Sequence, residues 1–154
     1  MGDRMDVPLP LSNYQLDIVL VGINHPGNLG AVCRAMLNHG FINLSLVSPE
    51  CSVDDEEARN RAKHSGRILD SAVIYPSLKD AIAESSLVVG TSGKREVGSK
   101  ILKRHFILPW EFADKIRDLD GKVSLIFGEE GKGLSSEELD MCDVLLTLPT
   151  WEGY

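Results

Sequence analysis

At residues 17–21 the chain reads DIVLV, with four apolar side chains in succession after one aspartate. A short continuous run of aliphatic, β-branched residues is what a strand covered on both faces requires. Similar runs recur at 44–47 (LSLV), 72–75 (AVIY), 87–90 (LVVG), 123–127 (VSLIF) and 144–148 (VLLTL). Between them the period changes. Leu29, Val32, Cys33, Met36 and Leu37 fall at helical spacing, predicting a helix over 29–38 that Gly40 closes. Residues 54–63 begin acidic and end basic, as a helix dipole favours. Ser77 caps a helix reaching about residue 84, and Pro109 and Trp110 open another through about residue 117. Ser135, with Glu138 three positions on, forms a capping box at the head of a last helix.

Strands alternating with helices predict an α/β fold, a mostly parallel sheet with helices on both faces. No internal repeat or low-complexity linker divides the chain, so one domain over 1–154 is expected. Ligands of such sheets lie beyond the carboxyl ends of the strands. Here those ends are the stretches 22–25 (GINH), 90–93 (GTSG), 127–130 (FGEE) and 148–150 (LPT).

Charge narrows the function only partly. The net charge of -7 argues against a generic polyanion binder, because nucleic-acid affinity rests on Lys and Arg. The cations are clustered, however: Arg59, Arg61, Lys63 and Arg67 in one stretch, and Lys94, Arg95, Lys100, Lys103 and Arg104 in another. Each cluster reads equally well as a solvated helix face or as a local basic surface. Apolar runs are strand-sized, far short of the roughly 20 residues that span a bilayer. The N-terminus lacks the apolar core of a signal peptide, so a cytoplasmic protein without membrane association is expected. Cys33, Cys51 and Cys142 form no CxxC and are expected as thiols, Cys33 and Cys142 buried in helical patterns. His25, His39, His64 and His105 are isolated, so no metal site is expected.

Nucleotide motifs fail in detail. Residues 93–100 have the glycine spacing of a phosphate loop, but Ser99 precedes Lys100 where the motif needs the reverse order. In GEEGKG, Lys132 is followed by Gly133, not by Ser or Thr. Of a dinucleotide fingerprint, only the final GxxG (Gly27, Gly30) is in place. No GxSxG elbow is present. The segment HPGNLG remains. Its glycines are expected to let the backbone turn tightly into a helix whose N-terminus attracts anions and which carries Arg34. Asn28 and Arg34, six positions apart, are expected to share a side of that helix. Taken alone, they also suit an Asn cap and a surface Arg.

HPGNLGAVCRAMLNHGF, LSLVSPE and SLIFGEEGKGLSSEELDMCDVLLTLPT resemble, in that order, the SpoU-type RNA 2'-O-methyltransferases of the SPOUT superfamily, most of all the TrmJ-like tRNA methyltransferases. The resemblance covers residues 16–154. It implies a parallel α/β sheet whose C-terminal part forms a deep trefoil knot, an exception to the rule against knots. It implies S-adenosylmethionine as methyl donor, held by three loops matching Thr91, Ser92 and Gly93; Phe127, Gly128, Glu129 and Gly131; and Leu148, Pro149 and Thr150. Gly128 and Gly131 would let the backbone approach the donor. The side chain of Glu129 is expected in solvent, and Lys132 becomes an ordinary flank. Glu130 matches the motif acid, expected to orient Asn28 and Arg34. These three are the implied catalytic residues, and no metal is needed. Arginine rarely loses its proton, its pKa exceeding about 12. Arg34 is therefore expected to stabilise the developing alkoxide and clamp phosphate, with Asn28 positioning the Arg or the ribose.

The implied substrate is RNA, most of all a tRNA anticodon loop, and the implied assembly a homodimer in which Arg34 of one chain faces the donor of the other. Family members continue after Leu-Pro-Thr into Ser-Leu-Asn-x-Ser and a helix, whereas the sequence here stops at Tyr154. A truncated chain is the expectation, with a weakened donor pocket. A non-catalytic RNA-binding or assembly protein of the same fold is the alternative.

Overall fold

The structure, a computed structural model, describes residues 11–93 and 106–149. Its elements in chain order are β1 (Tyr14–Val21), α1 (Pro26–Asn38), β2 (Asn43–Val47), α2 (Glu56–Ala62), a 3-10 turn (Lys63–Ser65), α3 (Gly66–Ser71), β3 (Val73–Tyr75), α4 (Leu78–Ala81), β4 (Leu87–Thr91), β5 (Phe106–Ile107), α5 (Pro109–Ile116), β6 (Gly121–Phe127), α6 (Ser136–Asp140) and β7 (Val144–Leu146). The seven strands form one sheet in the order β3-β2-β1-β6-β4-β7-β5, and every neighbouring pair is parallel.

Apolar alternation within the strands feeds two cores. Leu16, Ile18, Leu20, Leu44, Leu46, Val89, Val123 and Leu125 face α1, α2, α3 and α5, meeting Leu29, Cys33, Met36, Ala58, Ile68 and Phe112. Val19, Val21, Val47, Val88 and Ile126 face the other way, against Leu78 and Ala81 of α4 and Leu139 of α6. Both faces therefore carry helices, as the continuous apolar runs require. One polar pair is buried among the strands. Asp17 accepts from the Ser45 hydroxyl (2.9 and 3.1 Å) and pairs with Lys122 Nζ at 3.2 Å. On the α1 side of the sheet the packing leaves a cavity of about 620 Å³, floored by Leu16, Ile18, Leu20 and Leu125, with Asn28 and Glu130 also lining it.

Several boundaries differ from the sequence-based expectation. Helix α1 begins at Pro26, not at Leu29, because proline suits a first turn whose N–H would be unpaired anyway. Gly27 and Gly30 are thus helical residues, not turn residues. α4 stops at Ala81 rather than near residue 84, and β7 ends at Leu146 rather than Leu148. α3 and the two-residue β5 were not expected. The caps hold: the Ser77 and Ser135 hydroxyls accept from Asp80 N and Glu138 N (both 3.2 Å), and Glu138 Oε2 accepts from Ser135 N at 2.7 Å. The expected loop over 91–99 lies outside the described residues from 94 onward, as does the second basic cluster. No described helix is long and apolar enough to cross a membrane.

Candidate functional site

β1 and β6 are adjacent in the centre of the sheet, yet β1 leads on to β2 at one side and β6 borders β4 at the other. Such a point leaves a crevice at the carboxyl edge of a parallel sheet. Across it, one side chain ties the two strand ends together. Glu130, from the turn after β6, accepts from Asn24 N (3.2 Å), His25 N (3.3 Å) and Asn28 Nδ2 (3.1 Å). It therefore takes up backbone groups at the head of α1 and fixes the Asn28 side chain one turn in. Desolvation pushes its carboxyl upward. The hydrogen bonds from its own backbone N–H, from Asn28, and from the Asn24 and His25 N–H outweigh that, and hold the carboxyl below the ordinary Glu value.

Of the two partners expected for Glu130, only Asn28 is found. Arg34 is exposed and has no hydrogen bond or ion pair among the described residues. The reason is angular. At about 100° per residue, six positions leave Arg34 about 120° around α1 from Asn28, not on its side. Ala31 lies between them.

The loop that carries Glu130 is shaped by its glycines. Gly128 packs directly on the backbone of Gly133 and Leu134, where no Cβ would fit. Gly133 N donates back to Glu129 O at 2.9 Å, and Gly131 and Gly133 take φ of +91° and +71°, conformations that favour glycine. The glycines thus serve the loop's own tight return. Glu129 is partly exposed, 28% at its side chain, and meets the exposed Lys132 Nζ at 3.4 Å.

Beyond β6 the rim continues through β4 to β7. Thr91 Oγ1 donates to Ile126 O at 2.9 Å, and Ser92 N donates to Leu146 O at 3.1 Å. These bonds bring Thr91, Ser92 and Gly93 between the loop of Phe127, Gly128, Glu129 and Gly131 and the segment of Leu148 and Pro149. Thr150 lies outside the described residues. Phe127 and Leu148 are exposed, and a Cβ at Gly93 would meet nothing within 4 Å. Two polar atoms at this rim are buried without a partner among the described residues, Thr147 Oγ1 and Asn24 Oδ1. Neither was singled out from the sequence. Thr147 stands immediately before the Leu-Pro-Thr match, and only its burial distinguishes it from any strand-end threonine. Buried polar atoms normally find partners, so both retain unused hydrogen-bonding capacity among the described residues.

No group of three or more His, Cys, Asp or Glu gathers as metal ligands among the described residues. Cys33 is buried and its thiol is pushed up to about 11 by desolvation, which makes it unreactive. Cys51 and Cys142 are partly buried.

Comparison with known proteins gives the same reading. The SpoU rRNA Methylase family profile matches residues 15–154. The chain is 40% identical over 139 residues to the tRNA (cytidine-2'-O-)-methyltransferase TrmJ of Methanocaldococcus jannaschii, covering 90% of this chain and 60% of that protein. It is 34% identical over 145 residues to the tRNA (cytidine/uridine/adenosine-2'-O-)-methyltransferase TrmJ of Pseudomonas aeruginosa, covering 88% and 52%. Among solved structures, a probable methylase family protein from Haemophilus influenzae superposes with a TM-score of 0.84 at 34% identity, over 93% of this chain and 58% of that one. TrmJ from Z. mobilis gives a TM-score of 0.82 at 27% identity, over 90% and 60%. The chain thus spans between about half and 60% of the length of these relatives. With the sheet order, the Glu130 tie and these matches together, the chain belongs to the SpoU rRNA Methylase family.

Proposed function

We propose that this chain is the S-adenosylmethionine-dependent methyl-transfer domain of an RNA 2'-O-ribose methyltransferase that acts on tRNA, at the anticodon loop, in the cytoplasm. One observation carries the proposal: Glu130 physically joins the glycine loop after β6 to the head of α1, the helix that bears Arg34. Donor and acceptor sites would otherwise be separate pieces of the rim. The relatives described above, tRNA 2'-O-methyltransferases at 34–40% identity, support it.

The residues present suit the donor. Three adjacent strand ends offer backbone groups from Thr91, Ser92 and Gly93, from Phe127 to Gly131, and from Leu148 and Pro149. The unpartnered Thr147 hydroxyl beside them supplies a buried polar contact. When bound, S-adenosylmethionine supplies an electrophilic methyl on a sulfonium. An ionised Glu130 would supply negative charge to balance that cation. The donor site comes with a trefoil knot in this reading, formed by the segment after β6, and it uses no metal.

Catalysis then falls to α1. Arg34 holds the RNA phosphate and stabilises the oxyanion that develops on the ribose 2'-oxygen as its proton passes to water or phosphate. Asn28, locked by Glu130, positions the ribose. Arg34 is exposed and lines neither cavity, which suits a homodimer in which a second copy brings the donor to it.

Calorimetry with S-adenosylhomocysteine tests the donor, and ribose-methylation mapping of tRNA incubated with S-adenosylmethionine tests the reaction. Binding and a new 2'-O-methyl mark are expected from this chain extended to the length of those relatives. Donor binding without methylation of any tRNA would favour the non-catalytic RNA-binding alternative. Absence of both would end the proposal.

A further inference from the structure

A second cavity, of about 280 Å³, lies between the first turns of α1 and the helix α2, lined by His25, Gly27, Asn28, Ala31, Glu57 and Arg61. It shares Asn28 and Ala31 with the larger cavity, and it is bounded by the residue that Glu130 locks. Arg34 stands three residues beyond Ala31 on the same helical row. The polar cavity is thus the neighbour of the site where the target ribose would lie.

The two charged side chains of α2 in this cavity do not neutralise one another. Glu57 and Arg61 are four residues apart, the spacing at which helical ion pairs form. Yet no ion pair within 4 Å joins them, nor does Arg61 have another among the described residues. The contrast on the same helix is sharp. Arg59 is held by Asp54 at 3.0 Å and Asp70 at 2.6 Å. Glu57 instead lies over Gly27, its Oε1 2.5 Å from where a Cβ would stand. There the positive end of the α1 dipole compensates the carboxylate, which leaves the Arg61 guanidinium uncommitted. Arg61, Lys63 and Arg67 are all exposed, and none has an ion-pair partner among the described residues.

We propose that this cleft seats the nucleotide flanking the methylated one, with Arg61 on its phosphodiester and Glu57 accepting from its ribose 2'-hydroxyl. A guanidinium presents a planar fork that fits phosphate. An ionised carboxylate can only accept, so its RNA partner is a donor, and the 2'-hydroxyl is the donor that separates RNA from DNA. The cleft would then select ribose next to the target independently of base. The inference rests on the RNA-methyltransferase reading above and names how that site recognises its substrate.

The test uses a fluorescein-labelled RNA hairpin with a single-stranded loop, and the same hairpin with 2'-deoxynucleotides in the loop only. Anisotropy is read over a salt series. Arg61→Ala is expected to weaken RNA binding by about 10-fold and to lower the salt slope by about 1, while Lys115→Ala on α5 leaves both unchanged. Glu57→Ala is expected to abolish the wild-type preference for the ribose loop over the deoxy loop. Wild-type affinity in Arg61→Ala, or equal binding of the two loops by the wild type, would overturn the proposal. Calorimetry with S-adenosylhomocysteine on the same samples separates the two readings. Retained donor binding with no effect at the cleft removes only the cleft, whereas loss of donor binding in the wild type removes the methyltransferase reading itself.

Discussion

Gly30 is the point at which α1 and α2 touch, and its replacement by alanine separates two opposing expectations. Judged by helix propensity alone, Gly30→Ala gains about 1 kcal/mol, since Gly30 is inside a helix. The packing says otherwise. A methyl there would overlap the Ala58 carbonyl oxygen and come within 2.8 Å of Arg61 Cβ and 2.9 Å of Ala62 N. Ordinary carbon contacts need about 3.5 Å, so α2 would have to retreat by about 1 Å. The obstructing atoms are mostly backbone, which no rotamer change can move. The overlap therefore sits at the upper end of overpacking costs, about 2–3 kcal/mol. Subtracting the propensity gain leaves a net loss of about 1–2 kcal/mol, or a fall of about 2–8 °C in melting temperature for a chain of this size. Gly27→Ala is the internal control. Its only close neighbour is the flexible Glu57 carboxylate, at 2.5 Å, so that variant should melt at or slightly above the wild-type temperature. Thermal melts by circular dichroism read both. Gly30→Ala melting as high as Gly27→Ala would refute the reasoning.

Glu130→Gln removes the charge that three donors face, and should cost about 1–2 kcal/mol at neutral pH in urea denaturation. Because the folded-state pKa of Glu130 is lowered, its contribution is present above the unfolded value and lost as pH falls through the folded one. The gap between wild type and Glu130→Gln should thus close below about pH 4, and a gap that widens on acidification would contradict the assignment. Arg34→Lys keeps charge but loses the fork. In the proposed transferase it should slow methyl transfer by at least about 100-fold with S-adenosylhomocysteine binding intact, and near-full activity would remove Arg34 from the transition state. Lys122→Met leaves Asp17, only 4% exposed at its side chain, without its cation, and should cost about 3–5 kcal/mol in urea denaturation. Adding Asp17→Asn should restore much of that stability, and failure to do so would show that the ion pair is not the cause.

Which parts of this architecture were legible in the sequence follows from where their stability originates. The central strands announce themselves because burial on both faces demands an unbroken apolar run, and Val19, Val89 and Ile126 are fully buried accordingly. β5 could not be read. Two residues carry no periodicity, and Phe106 and Ile107 are strand only because β7 offers them a ladder. α3 was hidden for a similar reason: it follows a kink at Lys63, at φ +54°, that nothing in the residue types encodes. The site divides along the same line. Side-chain identities at Asn28 and Glu130 pointed to it through a resemblance, but the structure shows that most of what Glu130 holds is main chain, the N–H groups of Asn24 and His25. No motif can display a backbone donor, so the sequence paired that carboxylate with Asn28 and Arg34, of which only Asn28 is a partner. Linear spacing deepened the error, because six residues look like nearly two turns and are in fact about 120° out of phase. That same phase gives α1 its use: the row from Asn28 through Ala31 to Arg34 winds from the Glu130 tie, past the cleft of Glu57 and Arg61, to an exposed guanidinium. In the proposed transferase, a strand of RNA laid along it would meet positioning, backbone recognition and charge stabilisation in turn, and the glycine at position 30 sets how closely α2 approaches the middle of that row.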